Sequence, residues 1–218
     1  MFESVDRQEI YRYLGYRGHQ PDETVCALVE DCLREVDKVV SPRQVSVRVP
    51  VKIASTKVSL GEMSVESQAL SRHLQDCPEA FLFAATLGPG VDQLLRRYGR
   101  LQVSRAAVIQ AVSAAVIEEW CDRCQQTLAN NLSPEYSLRS RFSPGYGDLP
   151  LSFQQPLLTA LQADRRIGIG LTDTLLMTPS KSVSAIIGIR RGKEAIHKSC
   201  AGCSSTHCPY RQENKGGK

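Results

Sequence analysis

Apolar residues recur at two different periods along this chain, and the change of period marks its elements. In residues 21–40, PDETVCALVEDCLREVDKVV, the residues Val25, Leu28, Cys32, Leu33 and Val36 fall at helical spacing behind Asp22, a residue type that caps helix N-termini. A helix with one face in a core is predicted there, and a shorter one over DRQEIYRYLGYRG before it, ending at Gly15 or Gly18. Cys26 and Cys32 read as small buried hydrophobes of that face. The period then shortens to two in RQVSVRVPVKIASTKVSL, residues 43–60, where Val45, Val47, Val49, Val51 and Ile53 alternate with polar residues, which predicts a single strand with one wet face. Pro50 donates no backbone hydrogen bond, so the strand is expected at a sheet edge or broken there.

A helix over about Glu66 to Asp76 comes next, then EAFLFAATLGPGVDQLL, a buried strand that turns through Gly-Pro-Gly into another helix. Gly88 and Gly90 invite a phosphate-loop reading, but the lysine and hydroxyl such loops use are missing, so the segment reads as a turn. The run VSRAAVIQAVSAAVIEEWCDRCQQTLANN is apolar on nearly every face until Glu118, which predicts a long, largely buried helix with Cys121 and Cys124 on neighbouring turns. A loop rich in Pro and Gly, a short helix over about Phe153 to Ala163, and a strand in SVSAIIGI entered through TPSKS complete the order. Helices and strands mixed without regular alternation give an α+β fold, a twisted, largely antiparallel sheet with flanking helices. The expected division is a folded domain over 1–198 and a cysteine-rich tail over 199–218.

Composition narrows the setting. Hydrophobic residues make up 42% of the 218, enough for a sizeable core. No apolar run approaches the roughly 18 residues that span a bilayer, and MFESVDRQEI is charged where an export signal is apolar, so a cytoplasmic protein without a membrane partner is expected. Eight cysteines in a reducing compartment favour metal or redox chemistry over a disulfide framework. The formal net charge is only +4, yet residues 190–218 hold Arg190, Arg191, Lys193, Lys198, Arg211, Lys215 and Lys218 against Glu194 and Glu213. That segment holds a single aromatic residue, Tyr210, and no base-reading module, which argues against a nucleic-acid partner.

Two stretches carry a specific resemblance. RFSPGYGDLP, at 141–150, followed by IGIGLTDTLLMTPSKSVSAIIG, at 167–188, resembles the activation domain of vitamin B12-dependent methionine synthase, in a stand-alone form with a C-terminal cysteine segment. The match is concentrated between Arg141 and Gly188. The resemblance implies reductive reactivation of a corrinoid protein. One electron from flavodoxin or a ferredoxin-like donor reduces inactive cob(II)alamin on a partner, a cobalamin-binding methionine synthase or related protein, and S-adenosylmethionine methylates the cob(I)alamin formed.

For S-adenosylmethionine, the motif points to Arg141 as a fork for the carboxylate, to backbone near Ser143 with close approach allowed by Gly145, and to Tyr146 as a ring face for the sulfonium. Methyl transfer between sulfur and cobalt asks for positioning rather than acid or base chemistry, and His19, His73 and His197 show no catalytic pairing. Family members place an acidic residue on the helix before the motif, whereas here the acids fall at Glu118 and Glu119, about a turn away. Asp173 stands where the family often has Glu and is expected to cap a turn.

In SCAGCSSTHCPYR, residues 199–211, Cys200, Cys203 and Cys208 form C-x2-C-x4-C beside His207. Zinc and an iron–sulfur cluster both fit these ligands, with Cys121 or Cys124 as further thiols for the cluster, and a reduced tail without metal is the third reading. The rival to a methyl-transfer role is a metal-dependent or electron-transferring adaptor that docks on a corrinoid protein without transferring methyl.

Overall fold

The computed structural model describes residues 2, 5–16 and 19–192 of the 218. Its elements run α1 (Arg7–Tyr13), α2 (Glu23–Val39), β1 (Arg43–Ala54), β2 (Lys57–Leu60), β3 (Met63–Glu66), α3 (Gln68–His73), β4 (Glu79–Thr86), α4 (Gly90–Leu101) and α5 (Val103–Asn130). Then come β5 (Tyr136–Leu138), a 3-10 turn over Leu151–Phe153, α6 (Gln154–Leu161), α7 (Ala163–Ile167), β6 (Gly170–Leu171), β7 (Met177–Thr178) and β8 (Ser182–Arg191). Cys200, Cys203 and Cys208 lie outside the described residues.

Six strands form one sheet in the order β3-β2-β1-β4-β8-β5, every pairing antiparallel, and β6 and β7 make a separate small hairpin. The two central strands, β4 and β8, are apolar on both faces because both faces are covered. Phe83, Ala85, Ile187 and Ile189 point into a core shared with α1, α2, α4 and α5, while Leu82, Ala84 and Ile186 point into a second core under α3, α6 and α7. The helix α5 is apolar nearly all round until Glu118 because α1, α2, α4 and the sheet enclose it, and Ile109, Val112, Val116 and Cys121 are fully buried. Cys32 is buried as expected, but Cys26 is only half-buried, near the hydroxyl of Tyr11.

Three local expectations are corrected. The strand β1 passes unbroken through Pro50 and is internal to the sheet. Proline is tolerated because β1 changes partner there: residues up to Pro50 pair with β4, those from Val51 with β2, and Pro50 contributes only its carbonyl, to Gly61 N at 3.0 Å. The stretch through Leu60 is two strands rather than one, reversed at Ser55, whose φ is 59°. The helix expected from Glu66 starts only at Gln68, because Ser67 is its N-cap, taking a hydrogen bond from Leu70 N, and Glu66 still belongs to β3. Gly88 and Gly90 form a turn as expected, and Gly90 has a packing reason: a Cβ there would lie 2.2 Å from the Val39 carbonyl oxygen.

Candidate functional site

The segment from Arg139 to Phe142 runs along β8 as an incomplete strand, with Arg139 N donating to Gly188 O at 2.8 Å and Phe142 and Ile186 exchanging bonds at 2.9 and 2.8 Å. Gly188 lets the residues after α3 pack close over β8 beside this segment, since a Cβ on it would meet Cys77 Sγ at 2.7 Å and Leu74 Cδ2 at 2.9 Å. Side chains alternate along such a segment. Arg141 turns toward α5, whereas Phe142 joins the core under α3, its ring centroid 4.9 Å from that of His73 and 5.9 Å from that of Tyr146. The Nε2 of His73 is 2.9 Å from Ser140 O, and burial holds the imidazole below its ordinary value, so the neutral ring donates this bond.

Beyond Phe142 the chain folds into a tight loop. Tyr146 N donates to Ser143 O at 3.0 Å, Gly145 N to Leu149 O at 2.9 Å, and Leu149 N to Tyr146 O at 3.0 Å. Gly145 and Gly147 take φ of 92° and 56°, which side chains disfavour, and a Cβ on Gly147 would stand 2.7 Å from that of Ala69. The far end is fastened by Asp148, which accepts from Ser67 Oγ at 2.5 Å, Gln68 N at 2.8 Å and Ala69 N at 3.0 Å. The Ser67 hydroxyl and these amides hold the Asp148 carboxyl below its ordinary value. The loop is thus tied to β8 at one end and to the start of α3 at the other, with the Tyr146 side chain on the outside, 54% exposed.

Arg141 is the most constrained group of the site. Its Nη2 is 2.9 Å from Glu118 Oε2, and its Nη1 is 2.8 Å from Asp122 Oδ1 and 3.1 Å from Gln125 Oε1. These three partners fall at i, i+4 and i+7 of α5 and so share one face of the helix. Burial opposes the Arg141 charge, and its neighbours Cys121, Glu118 and Asp122 more than offset that, so its affinity for the proton is raised. Burial pushes the Cys121 thiol well above its ordinary range and that of Cys124 up to about 11, which leaves both as neutral thiols. The carboxylates therefore carry the support. Among the described residues no group of three or more His, Cys, Asp and Glu side chains could hold a metal ion.

Arg141, Ser143, Gly145 and Tyr146 share one loop, but the guanidinium and the Tyr146 ring lie toward different faces of it. Sequence reasoning named Glu118 and missed Asp122 and Gln125, although their spacing from Glu118 was the available signal. It gave Asp173 a capping role that belongs to Thr172, whose hydroxyl accepts from Leu176 N at 3.1 Å. A groove of about 910 Å³ around Arg43, Pro89, Asp92, Arg96 and Pro179 contains none of the loop residues. Chemistry rather than concavity designates the loop: a guanidinium beside two carboxylates suits a ligand that carries both an anionic and a cationic end.

Among the described residues, an antiparallel six-stranded sheet, covered by four helices on one face and three on the other and carrying a Ser-Pro-Gly-Tyr loop between β8 and the start of α3, defines a class of α+β domain. A solved structure described as "Crystal Structure of the MetH Reactivation Domain bound to AdoHcy" has this fold, with a TM-score of 0.65 over 88% of this chain and 75% of that one, at 15% identity. Residues 81–194 match the family described as "Vitamin B12 dependent methionine synthase, activation domain", and the chain belongs to it. No curated protein matches the chain in sequence. No helix among the described residues is long and apolar enough to cross a membrane.

Proposed function

We propose that this protein binds S-adenosylmethionine at the Arg141–Tyr146 loop and supports remethylation of a reduced cobalamin carried by a partner, a methionine synthase or related corrinoid protein. In this reading the sulfur–methyl bond breaks as the cobalt–carbon bond forms, both electrons come from cob(I)alamin, and S-adenosylhomocysteine leaves. Flavodoxin or a ferredoxin-like donor supplies the single electron that first makes cob(I)alamin. The chain contributes position: Arg141 holds the carboxylate, Glu118 and Asp122 stand by for the cationic groups, and backbone at Ser143 and Gly145 admits the nucleoside.

The observation that carries this reading is the setting of Arg141. It is fixed by α5 yet 17% exposed, at the head of a tight loop, in a chain of the activation-domain family. The donor set fits the ligand, since it pairs one cation with two carboxylates. In the same reading residues 1–198 form the ligand-binding domain and the tail thiols Cys200, Cys203 and Cys208 hold zinc or an iron–sulfur cluster, which metal analysis of anaerobically purified protein tests.

The deciding experiment is calorimetric titration of S-adenosylmethionine into wild-type protein and Arg141→Ala, with reactivation of a cob(II)alamin-loaded methionine synthase as the second readout. Affinity is expected to fall by about 10- to 100-fold in the variant, with reactivation lost in parallel, since a charge-assisted bond to a carboxylate is removed. Unchanged affinity and unchanged reactivation would sink the proposal.

A further inference from the structure

Gln125 is a polar residue in an apolar helix, 5% exposed, and both ends of its amide are in use. Its Nε2 donates to Arg139 O at 3.0 Å and its Oε1 accepts from Arg141 Nη1 at 3.1 Å. Turning the amide over would set oxygen against oxygen and nitrogen against guanidinium, so the two partners fix its orientation. A single side chain on α5 thereby ties down the backbone on one side of Ser140 and a side chain on the other.

The partners of Arg141 differ in kind. Glu118 and Asp122 have side chains 49% and 59% exposed, so water screens their grip and they are free to swing aside. Gln125 is buried and neutral. It does not compete electrostatically with an incoming carboxylate, and it has nowhere else to point. We infer that Gln125 is a positioning residue, which keeps the Arg141 guanidinium in register while its ionic partners change from the α5 carboxylates to the carboxylate of an amino-acid-bearing ligand. This rests on the reading of Arg141 as the carboxylate fork.

The test compares two ligands and two variants by titration calorimetry. S-adenosylmethionine carries the amino-acid end; 5′-methylthioadenosine has the nucleoside and sulfur without it. Gln125→Met keeps the volume and removes both hydrogen bonds, whereas Gln125→Glu keeps an acceptor for Arg141 and loses the donor to Arg139 O. Gln125→Met is expected to weaken S-adenosylmethionine about tenfold and leave 5′-methylthioadenosine within about twofold, and Gln125→Glu, whose charge competes with the incoming carboxylate and sets oxygen against Arg139 O, to weaken S-adenosylmethionine at least as much.

Equal weakening of both ligands, or no weakening of either, overturns the inference, because the first is what a purely structural role produces and the second shows no role. Failure of both variants to fold, read by thermal melting, also assigns Gln125 a structural role and overturns it. A wild-type protein that takes up no S-adenosylmethionine fails at the reference titration. That outcome removes the proposed function itself and this inference with it, and it is distinguishable because it precedes any variant.

Discussion

At the scale of single residues, two glycines with positive φ are unequal, one in the Arg141–Leu149 loop and one at the end of α7. Gly147 has a positive φ and a neighbour 2.7 Å from where a Cβ would stand, while Gly168, with φ of 75°, has nothing within 4 Å. Gly147→Ala is therefore expected to cost roughly 2–4 kcal/mol, combining backbone strain with overpacking, and Gly168→Ala only about 1 kcal/mol, from backbone strain alone. Urea denaturation of the two variants measures the difference. His73 gives a pH dependence. Its folded-state pKa lies below the ordinary 6.5, because burial disfavours the charged ring. Stability is thus fully present above about 6.5 and falls as acid protonates the unfolded chain first, levelling off below the folded-state value. A denaturation series from pH 7.5 downward should show that slope, and His73→Gln, which cannot titrate, should flatten it. Arg141 was legible in the sequence because a motif surrounds it. Gln125 was not, since an amide inside a helix signals nothing until the segment it bonds to is placed beside it.

At the scale of elements, periodicity and capping carried most of the information. Asp22 accepts from Val25 N at 2.8 Å and starts α2 where its residue type predicts. Asp22→Ala is expected to cost about 1 kcal/mol, read by thermal or chemical denaturation. The long helix α5 was legible from its continuous apolar run, and both central strands from theirs. What escaped was short or locally ambiguous. The strands β2 and β3 have four residues each, too few for a period to register, and the turn between them is a Gly-Glu pair rather than a strong hairpin signal. Pro50 misled for a different reason. A proline's missing donor excludes it from a central strand only where that donor faces a partner, and here the neighbouring Val51 N makes the bond instead, to Pro78 O at 2.9 Å. Which side of a strand needs its donors depends on where its neighbours begin and end, a property of the sheet and not of the segment.

For the whole molecule, the family match begins at Phe81, inside β4, but the structure does not divide there. The strand β1 pairs along the full length of β4, and Val45, Leu60, Leu70 and Leu74 fill the core under α6 and α7. A fragment limited to residues 81–194 is expected to lack cooperative unfolding and to bind an external hydrophobic dye, whereas the chain through residue 192 should melt in one transition by circular dichroism. Asp148 extends the same point to time. Its bond to Ser67 spans 81 residues of chain, and the segment it closes contains β4, α4, α5 and β5. Loop closure over such a distance is slow relative to forming a helix. On the ribosome, the helices α1 to α5 emerge before the loop that Asp148 fastens, so a newly made chain acquires these helices well before the proposed binding loop is in place.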